Sequence, residues 1–349
     1  MLNNPALLLF RSLDEDCLHF IAGTSKTNYQ LSTNELDYYR VDINGHRTSQ
    51  QINSLTWNAG DRVRIIKKKN YGNWYNVIGS QPTDMTYVGA QLECKFSELE
   101  PKHWLSPLPN LLPDDSFVGL IRIFNGCTTL QSVCDYLFVN MPHSNNMARL
   151  FQGCTALTTV PEHIFDGVYE NMLSVAGLFQ DSGITSCPSL FYEKQYPAYS
   201  SAHDIFKNSP ITSVPTDFFN NLMKSGKTYT YNNCFEDTPN LESAPLKFVG
   251  GQYNPNNSAG RTQFRYVFNN SKMLQKSGIV IDLTEYSNVG INDDTDGWSI
   301  VHFWGYNNSV PNLKPCTVKV KRNSLTASTL EKKKASGDMI NTFNIQYVN

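Results

Sequence analysis

The sequence predicts an α+β chain in three parts: an N-terminal β-sandwich over 1–106, a repeat solenoid over 107–285 and a β-rich C-terminal cap over 286–349. Three observations carry this. A phenylalanine-anchored unit recurs at near-constant period in the middle of the chain. Period-two apolar segments separated by turn residues precede it, and strand-like runs come after it.

In the N-terminal part, Arg62-Val63-Arg64-Ile65 alternates polar and apolar side chains as a half-buried strand does, and Asn44-Gly45 and Ala59-Gly60-Asp61 supply turn chemistry. Together with many aromatics this predicts an antiparallel sandwich that attaches or orients the solenoid. The proline-rich stretch 107–113 forms the joint.

The repeat is anchored on Phe124, Phe151, Phe179, Phe206, Phe235 and Phe268, at spacings of 27, 28, 27, 29 and 33. Immediately before each anchor stand Ile123, Leu150, Leu178, Ile205, Cys234 and Val267. Four before it stand Leu120, Met147, Val175, Ala202, Tyr231 and Phe264. That spacing predicts one face of a short helix. Gly126, Gly153, Asp181, Asn208, Asp237 and Asn270, two places after the anchors, are residue types that tolerate the left-handed conformation ending a helix. Leu130, Leu157, Ile184, Ile211, Leu241 and Leu274 come next. A further residue three places on (Val133, Val160, Cys187, Val214, Ala244) frames a short extended segment in the first five copies. Pro161, Pro188, Pro215 and Pro245 then end strand pairing, and a second aromatic (Phe138, Phe165, Phe191, Phe219, Phe248) closes the unit. The period falls within the roughly 20–29 residues of leucine-rich repeats, so the middle is expected to be a leucine-rich-repeat-like solenoid whose copies stack to share one core.

Beyond residue 280, IVIDL, WSIVHFW, CTVKVKR and FNIQYV read as strands, with a helix over Ala327–Ala335 stopped near Gly337.

Composition narrows function. Only 17% of the 349 residues are charged and the net charge is −2, which argues against nucleic acid or an anionic membrane as partner. No run approaches the ~18 apolar residues of a spanning helix. Ala6 to Phe10 is shorter than the ~7–15-residue core of a signal peptide, so a chain without an export signal is expected. The eight cysteines (Cys17, Cys94, Cys127, Cys134, Cys154, Cys187, Cys234, Cys316) lack Cys-x-x-Cys spacing and read mostly as reduced core thiols.

Chemical motifs are few. Lys224-Ser225-Gly226-Lys227-Thr228 resembles the end of a phosphate loop, but Asn221 stands where its first glycine belongs. Asn292-Asp293-Asp294-Thr295-Asp296-Gly297 has the look of a calcium loop, yet Phe303 occupies the twelfth position where a bidentate Glu is needed, so an acidic turn is expected. His19, His46, His103, His143, His163, His203 and His302 show no zinc spacing, and no nucleophile elbow or dinucleotide fingerprint is present. A Cys–His pair assembled from distant residues stays open. Lys67-Lys68-Lys69 and Lys332-Lys333-Lys334 read as solvated faces, while Tyr71, Trp74 and Tyr75 form a candidate glycan-stacking group. No catalytic residue, metal or cofactor is expected.

The line LFQGCTALTTVPEHIF at 150–165, echoed by IFNGCTTLQSVCDYLF and IFKNSPITSVPTDFF, resembles the BspA-like leucine-rich repeats and their theme F-x-x-C-x-x-L-x-x-V-x-x-P. Upstream, YQLSTN, WNAGDRVRI, YNVIGS and VGAQLECKF resemble a β-rich domain found before such repeats in Bacteroidetes and their phages. The resemblance implies a non-enzymatic protein of one of two kinds. One is a virion head fibre or decoration protein of a gut, crAss-like phage, its N-terminal domain docked on capsid or tail proteins and its repeats turned to host protein or glycan. The other is a Bacteroidetes cell-surface adhesin. The missing export signal favours the virion, and such appendages are commonly symmetric homo-oligomers. A glycan-active enzyme would need a carboxylate pair that the sequence does not locate.

Overall fold

The computed structural model describes residues 17–31, 39–50, 53–67, 90–91, 96–109, 118–140, 144–165, 174–187, 202–218, 231–248, 266–284, 314–336 and 343–349. The chain divides into two compact units, Met1–Tyr169 and Glu170–Asn349. The first holds two of the repeat anchors and the second holds four.

In the first unit β1 (Cys17–Ala22), β2 (Lys26–Tyr29), β3 (Tyr39–Ile43), β4 (His46–Arg47), β5 (Leu55–Trp57), β6 (Arg62–Lys67), β7 (Ala90–Gln91), α1 (Phe96–Leu99) and β8 (Pro101–Trp104) occur in order. Five of these strands make an antiparallel sheet in the order β4-β3-β6-β1-β8, and β2 pairs with β5. Strand alternation sets its two faces: Leu18, Phe20, Ala22, Val63 and Ile65 are fully buried, while Cys17, His19, Ile21, Arg62 and Arg64 face the other way. At the β3–β4 hairpin Asn44 and Gly45 both have positive φ, 51° and 84°, the signature of a type I′ turn matched to strand twist.

Aromatic packing carries this core towards the repeats. Phe20 stacks on Trp104 at 5.8 Å and meets the edge of Trp57 at 6.1 Å. Phe96, on α1, lies 4.6 Å from Trp104 and 5.2 Å from Phe124, the first anchor. Beyond, β9 (Val118–Gly119) and β10 (Ser144–Asn146) form a small parallel sheet in the order β10-β9-β7.

Around each anchor the described residues form a run of tight turns. The residue two before every anchor is left-handed: Arg122, Arg149, Gly177, Asp204, Asn233 and Tyr266 have φ between 56° and 61°. The residue two after every anchor is left-handed as well, at 53° to 75°. Between them, i→i+3 hydrogen bonds succeed one another, as in Leu150 N–H to Met147 O, Gln152 N–H to Arg149 O and Cys154 N–H to Phe151 O. A positive φ at the third residue of a turn marks type II geometry, so type II turns flank a central one built on the anchor.

Copies within a unit are joined by backbone hydrogen bonds in a fixed pattern. The N–H groups of Asp204, Phe206 and Asn208 donate to the carbonyls of Asn232, Cys234 and Glu236 at 2.8–3.1 Å. Arg122, Phe124 and Gly126 do the same to Ala148, Leu150 and Gln152. The anchors stack almost face to face, Phe124 on Phe151 at 5.5 Å in the first unit. In the second, Phe179, Phe206, Phe235 and Phe268 stack at 5.8, 6.0 and 5.3 Å. The predicted extended segments shrink to single parallel bridges, Ser186 to Ser213 and Ser213 to Ser243.

These observations correct the expected α+β fold with a leucine-rich-repeat-like solenoid between an N-terminal β-sandwich and a β-rich cap. Among the described residues the chain is mostly sheet with very few helices, in four small sheets with no solenoid, and the repeat copies hold no α-helix, only the single 3-10 turn Lys272–Gln275 in the sixth. Apolar residues four and one before the anchor, and at the anchor, suit a helix face, but they suit successive i→i+3 turns equally well. A left-handed residue costs an L-amino acid roughly 1–2 kcal/mol and cannot sit inside a right-handed helix, so the left-handed residue two before each anchor decides between them.

In the second unit β11 (Val280–Asp282), β12 (Cys316–Lys321) and β13 (Phe343–Val348) form a parallel sheet in that order. The crossover from β12 to β13 is α2 (Leu325–Ser336), whose first turn is capped by Ser324 Oγ accepting from Ala327 N–H at 3.1 Å. The sheet grows out of the fifth copy, since Phe248 N–H donates to Asp282 O and Asp282 N–H to Leu246 O. WSIVHFW lies outside the described residues. No helix among the described residues is long and apolar enough to cross a membrane.

Candidate functional site

The turn geometry sorts each copy into inward and outward positions. Residues four and one before the anchor, the anchor, and the residue three after it point in: among these Leu178, Ile205, Phe206, Cys234 and Phe235 are fully buried, and Ser209 and Ser271 are 1% exposed. The inward polar residues satisfy themselves locally, Ser182, Ser209 and Thr238 each donating a hydroxyl to its own anchor's carbonyl at 2.6–2.7 Å. Residues two before, one after and two after the anchor carry their polar groups on the outer side, and these form ladders.

In the second unit Asn208 Nδ2 donates to Asp181 Oδ1 at 2.8 Å, and Asn270 Nδ2 to Asp237 Oδ1 at 2.9 Å. One column over, Lys207 Nζ lies 2.6 Å from Glu236 Oε2, and Asn269 Nδ2 donates to Glu236 Oε1 at 2.9 Å. A third column joins Asn233 Nδ2 to Asp204 Oδ1 at 2.8 Å, and His203 Nδ1 lies 2.7 Å from the other Asp204 oxygen. In the first unit Asn125 Nδ2 donates to Gln152 Oε1 at 2.9 Å. In these ladders amides, carboxylates and the Lys207 ammonium are orientated by the copy beside them, while the His203 imidazole is held by Asp204 of its own copy.

Electrostatics on this face favour the charged forms of Asp204 and Lys207. Burial pushes the Asp204 carboxyl up, but hydrogen bonds from His203 and Asn233 outweigh it and hold it below the usual range. Burial pulls Lys207 down, and the hydrogen bond and charge of Glu236 more than restore it. Elsewhere, hydrogen bonds from Lys272 and Lys276 hold Glu242 down at about 2, and those from Thr24 and Lys26 lower Glu100. A carboxylate with a depressed folded pKa contributes stability above its unfolded value that is lost as pH falls through the folded one. Stability should therefore drop between about pH 4.5 and 2, the span of the Glu242 shift. In D204N the acid loss should be smaller by about 1.5–3 kcal/mol, the range for a hydrogen bond to a charged group. Urea midpoints between pH 2 and 6 measure this, and equal acid losses in D204N and the native chain would count against it.

The anticipated site residues fare differently. The six anchors are core, at most 1% exposed, and so support the face without touching a ligand. Tyr71, Trp74 and Tyr75 lie outside the described residues, as do Lys224–Thr228 and Asn292–Gly297. Lys334 sits over the Phe343 ring at 5.7 Å, which gives the second basic cluster a packing role. The described cysteines are free thiols. Burial pushes Cys134, Cys154 and Cys316 up to about 12, and Cys154 and Cys234 donate to the carbonyls of Phe124 and Ala202. Thiols protonated at neutral pH are poor nucleophiles, so the Cys–His pairing finds no support at Cys234, the thiol of the copy after His203. No group of three or more His, Cys, Asp or Glu close enough to hold a metal ion occurs among the described residues.

Sequence reasoning missed the outward ladders. The alternation Asp181, Asn208, Asp237, Asn270 is a usable signal of one ladder, although the same residue types also suit helix ends. The column Arg122, Arg149, Gly177, Asp204, Asn233, Tyr266 has no common chemistry to find. Compared with family models, with curated proteins and with solved structures, the chain matches none.

Proposed function

We propose that this chain is a non-enzymatic structural and binding protein of a bacteriophage virion, a head fibre or decoration protein. Its N-terminal region docks on other virion proteins, and its outer repeat face contacts protein or glycan on the host surface. The observation that carries this reading is the set of side-chain ladders, in which donors and acceptors are held in place before any ligand arrives. Side chains already ordered lose little entropy on binding, so a hydroxyl-rich polymer can be gripped by many weak hydrogen bonds. The BspA-like line at 150–165 supports the same reading, and it equally suits an adhesin on the Bacteroidetes surface.

Location separates the two. Mass spectrometry of purified phage particles beside fractionated Bacteroidetes cells should find peptides of this chain in the particles. Recovery only from the outer-membrane fraction would reject the virion role and leave the adhesin.

Contact by the ladders has its own test. N208G combined with N270G removes two outward amides, while glycine keeps the left-handed backbone without strain. Binding of the full chain to a host envelope preparation should fall at least about tenfold, as expected for roughly two lost hydrogen bonds. Unchanged binding would exclude the ladders as the contact.

A further inference from the structure

The parallel sheet of the second unit has two unlike edges. On one side β11 continues the repeat copies: Lys247 bridges Asp282, and Asp282 exchanges hydrogen bonds with Leu246 and Phe248. On the other side stands β13, which pairs along its whole length with β12 and with no other strand among the described residues. Val348 O accepts from Arg322 N–H at 2.8 Å. Backbone polar groups alternate sides along a strand, so Asn344, Gln346 and Val348 bond towards β12, while Phe343, Ile345 and Tyr347 turn their N–H and C=O groups outward. None of these outward groups has a hydrogen-bond partner among the described residues. The side chains of Phe343 and Tyr347 lie on the α2 face, where Tyr347 donates to Glu331 and Lys334 covers Phe343. Asn344 and Gln346 are exposed on the opposite face.

Exposed sheet edges are ordinarily kept short, charged or covered. β4, at one edge of the five-stranded sheet, is two residues long, and both His46 and Arg47 are exposed. β8, at the other edge, is covered by the first repeat copy, since Trp104 N–H donates to Ser132 O and Gln131 N–H to Lys102 O. β13 has neither protection: its six residues, FNIQYV, include no charge and no proline. Their chemistry also reads the same in both directions about Ile345, as aromatic, amide, isoleucine, amide, aromatic from Phe343 to Tyr347.

We propose that β13 is the interface of a homodimer, in which two copies of this chain pair their β13 strands antiparallel about a two-fold axis at Ile345. Phe343 then faces Tyr347 of the partner subunit, and Asn344 faces Gln346 of the partner subunit. Every outward-bonding residue meets another outward-bonding residue, so the open N–H and C=O groups satisfy one another. Aromatic side chains directly opposite are favourable cross-strand neighbours, and facing amides can donate and accept at once. The palindromic pattern favours a second copy over a foreign strand, because only the same strand reversed sets like chemistry opposite like along its length. A two-fold pair also closes the assembly, since each copy uses the same patch. Head-to-tail growth would need the matching edge of the first repeat copy, and β8 occupies it. The inference goes beyond the proposed function and holds for a virion protein and an adhesin alike.

The test is sedimentation velocity of the full chain over a range of concentrations, where a monomer–dimer equilibrium is expected. N344K combined with Q346K sets lysine opposite lysine at both amide pairs and should raise the dimer Kd at least about tenfold. N344E combined with Q346E should do the same with glutamates. Both positions are exposed, so the monomer has no packing to lose. An equimolar mixture of the two variants should form dimers again, because each lysine now faces a glutamate. A damaged fold would not be rescued in this way. A native chain that stays monomeric or forms another oligomer, a dimer that tolerates either double variant, or a mixture that does not reassociate would each overturn the proposal.

Discussion

Replacing Phe206 with alanine should lower the unfolding free energy by about 3–5 kcal/mol, the cost of deleting a fully enclosed aromatic ring from a packed core. Phe206 has no exposed surface and is stacked between Phe179 and Phe235 at 5.8 and 6.0 Å, with Phe218 tilted against it at 5.8 Å. Three rings close around it, and Phe235 cannot shift into the gap without leaving its stack on Phe268. Its backbone is committed too, since Phe206 N–H donates to Cys234 O and its carbonyl accepts from Ser209. The cavity therefore stays largely open, which places the loss in the upper range for core truncations. Urea denaturation measures it. A loss below about 1 kcal/mol would mean that the rings do not pack as described.

Gly23→Ala should destabilise the first unit by about 1–3 kcal/mol or more through overpacking alone. A Cβ at this position would lie 2.7 Å from the Glu100 carbonyl oxygen and 2.8 and 2.9 Å from Thr129 Cβ and Oγ1. Two of these atoms are a backbone oxygen and a branch-point carbon, which cannot swing aside. Gly23 N–H also donates to Glu100 O at 2.8 Å, and Thr129 Oγ1 donates to Pro101 O at 2.9 Å. Any shift that admits the methyl loosens the link between β1, the start of β8 and the first repeat copy. Gly45→Ala is the matched control. Gly45 has φ +84° but nothing near its Cβ position, so only the left-handed penalty of roughly 1–2 kcal/mol applies. Melting of the two variants should rank G23A below G45A, and the reverse order would contradict the close approach at Gly23.

Much of the burial was legible in the sequence. The columns Leu120, Met147 and Val175, then Ile123, Leu150 and Leu178, then the anchors themselves, are buried as their spacing requires. Seven of the eight cysteines are described and are free thiols, and four of them are buried. The hairpin at Asn44-Gly45 arises from residues that accept positive φ without a large penalty. The candidate sites were less legible. Both depend on which elements become neighbours across copies or strands, and Asp204 with Asn233, or β13 with β12, are joined by register and not by a motif.

The sequence by itself determined where apolar side chains recur and hence what is buried, because the hydrophobic effect acts on each residue's own surface and periodicity records it directly. Only the tertiary structure decided the backbone path between those residues. Arg122, Arg149 and Tyr266 carry no local preference for positive φ, yet all three are left-handed. Hydrogen bonds from Arg122 to Ala148, or from Phe124 to Leu150, join chain segments a full repeat apart and offset that strain. Such a gain is absent from any local window, and so a spacing that reads as a helix folds instead as stacked turns.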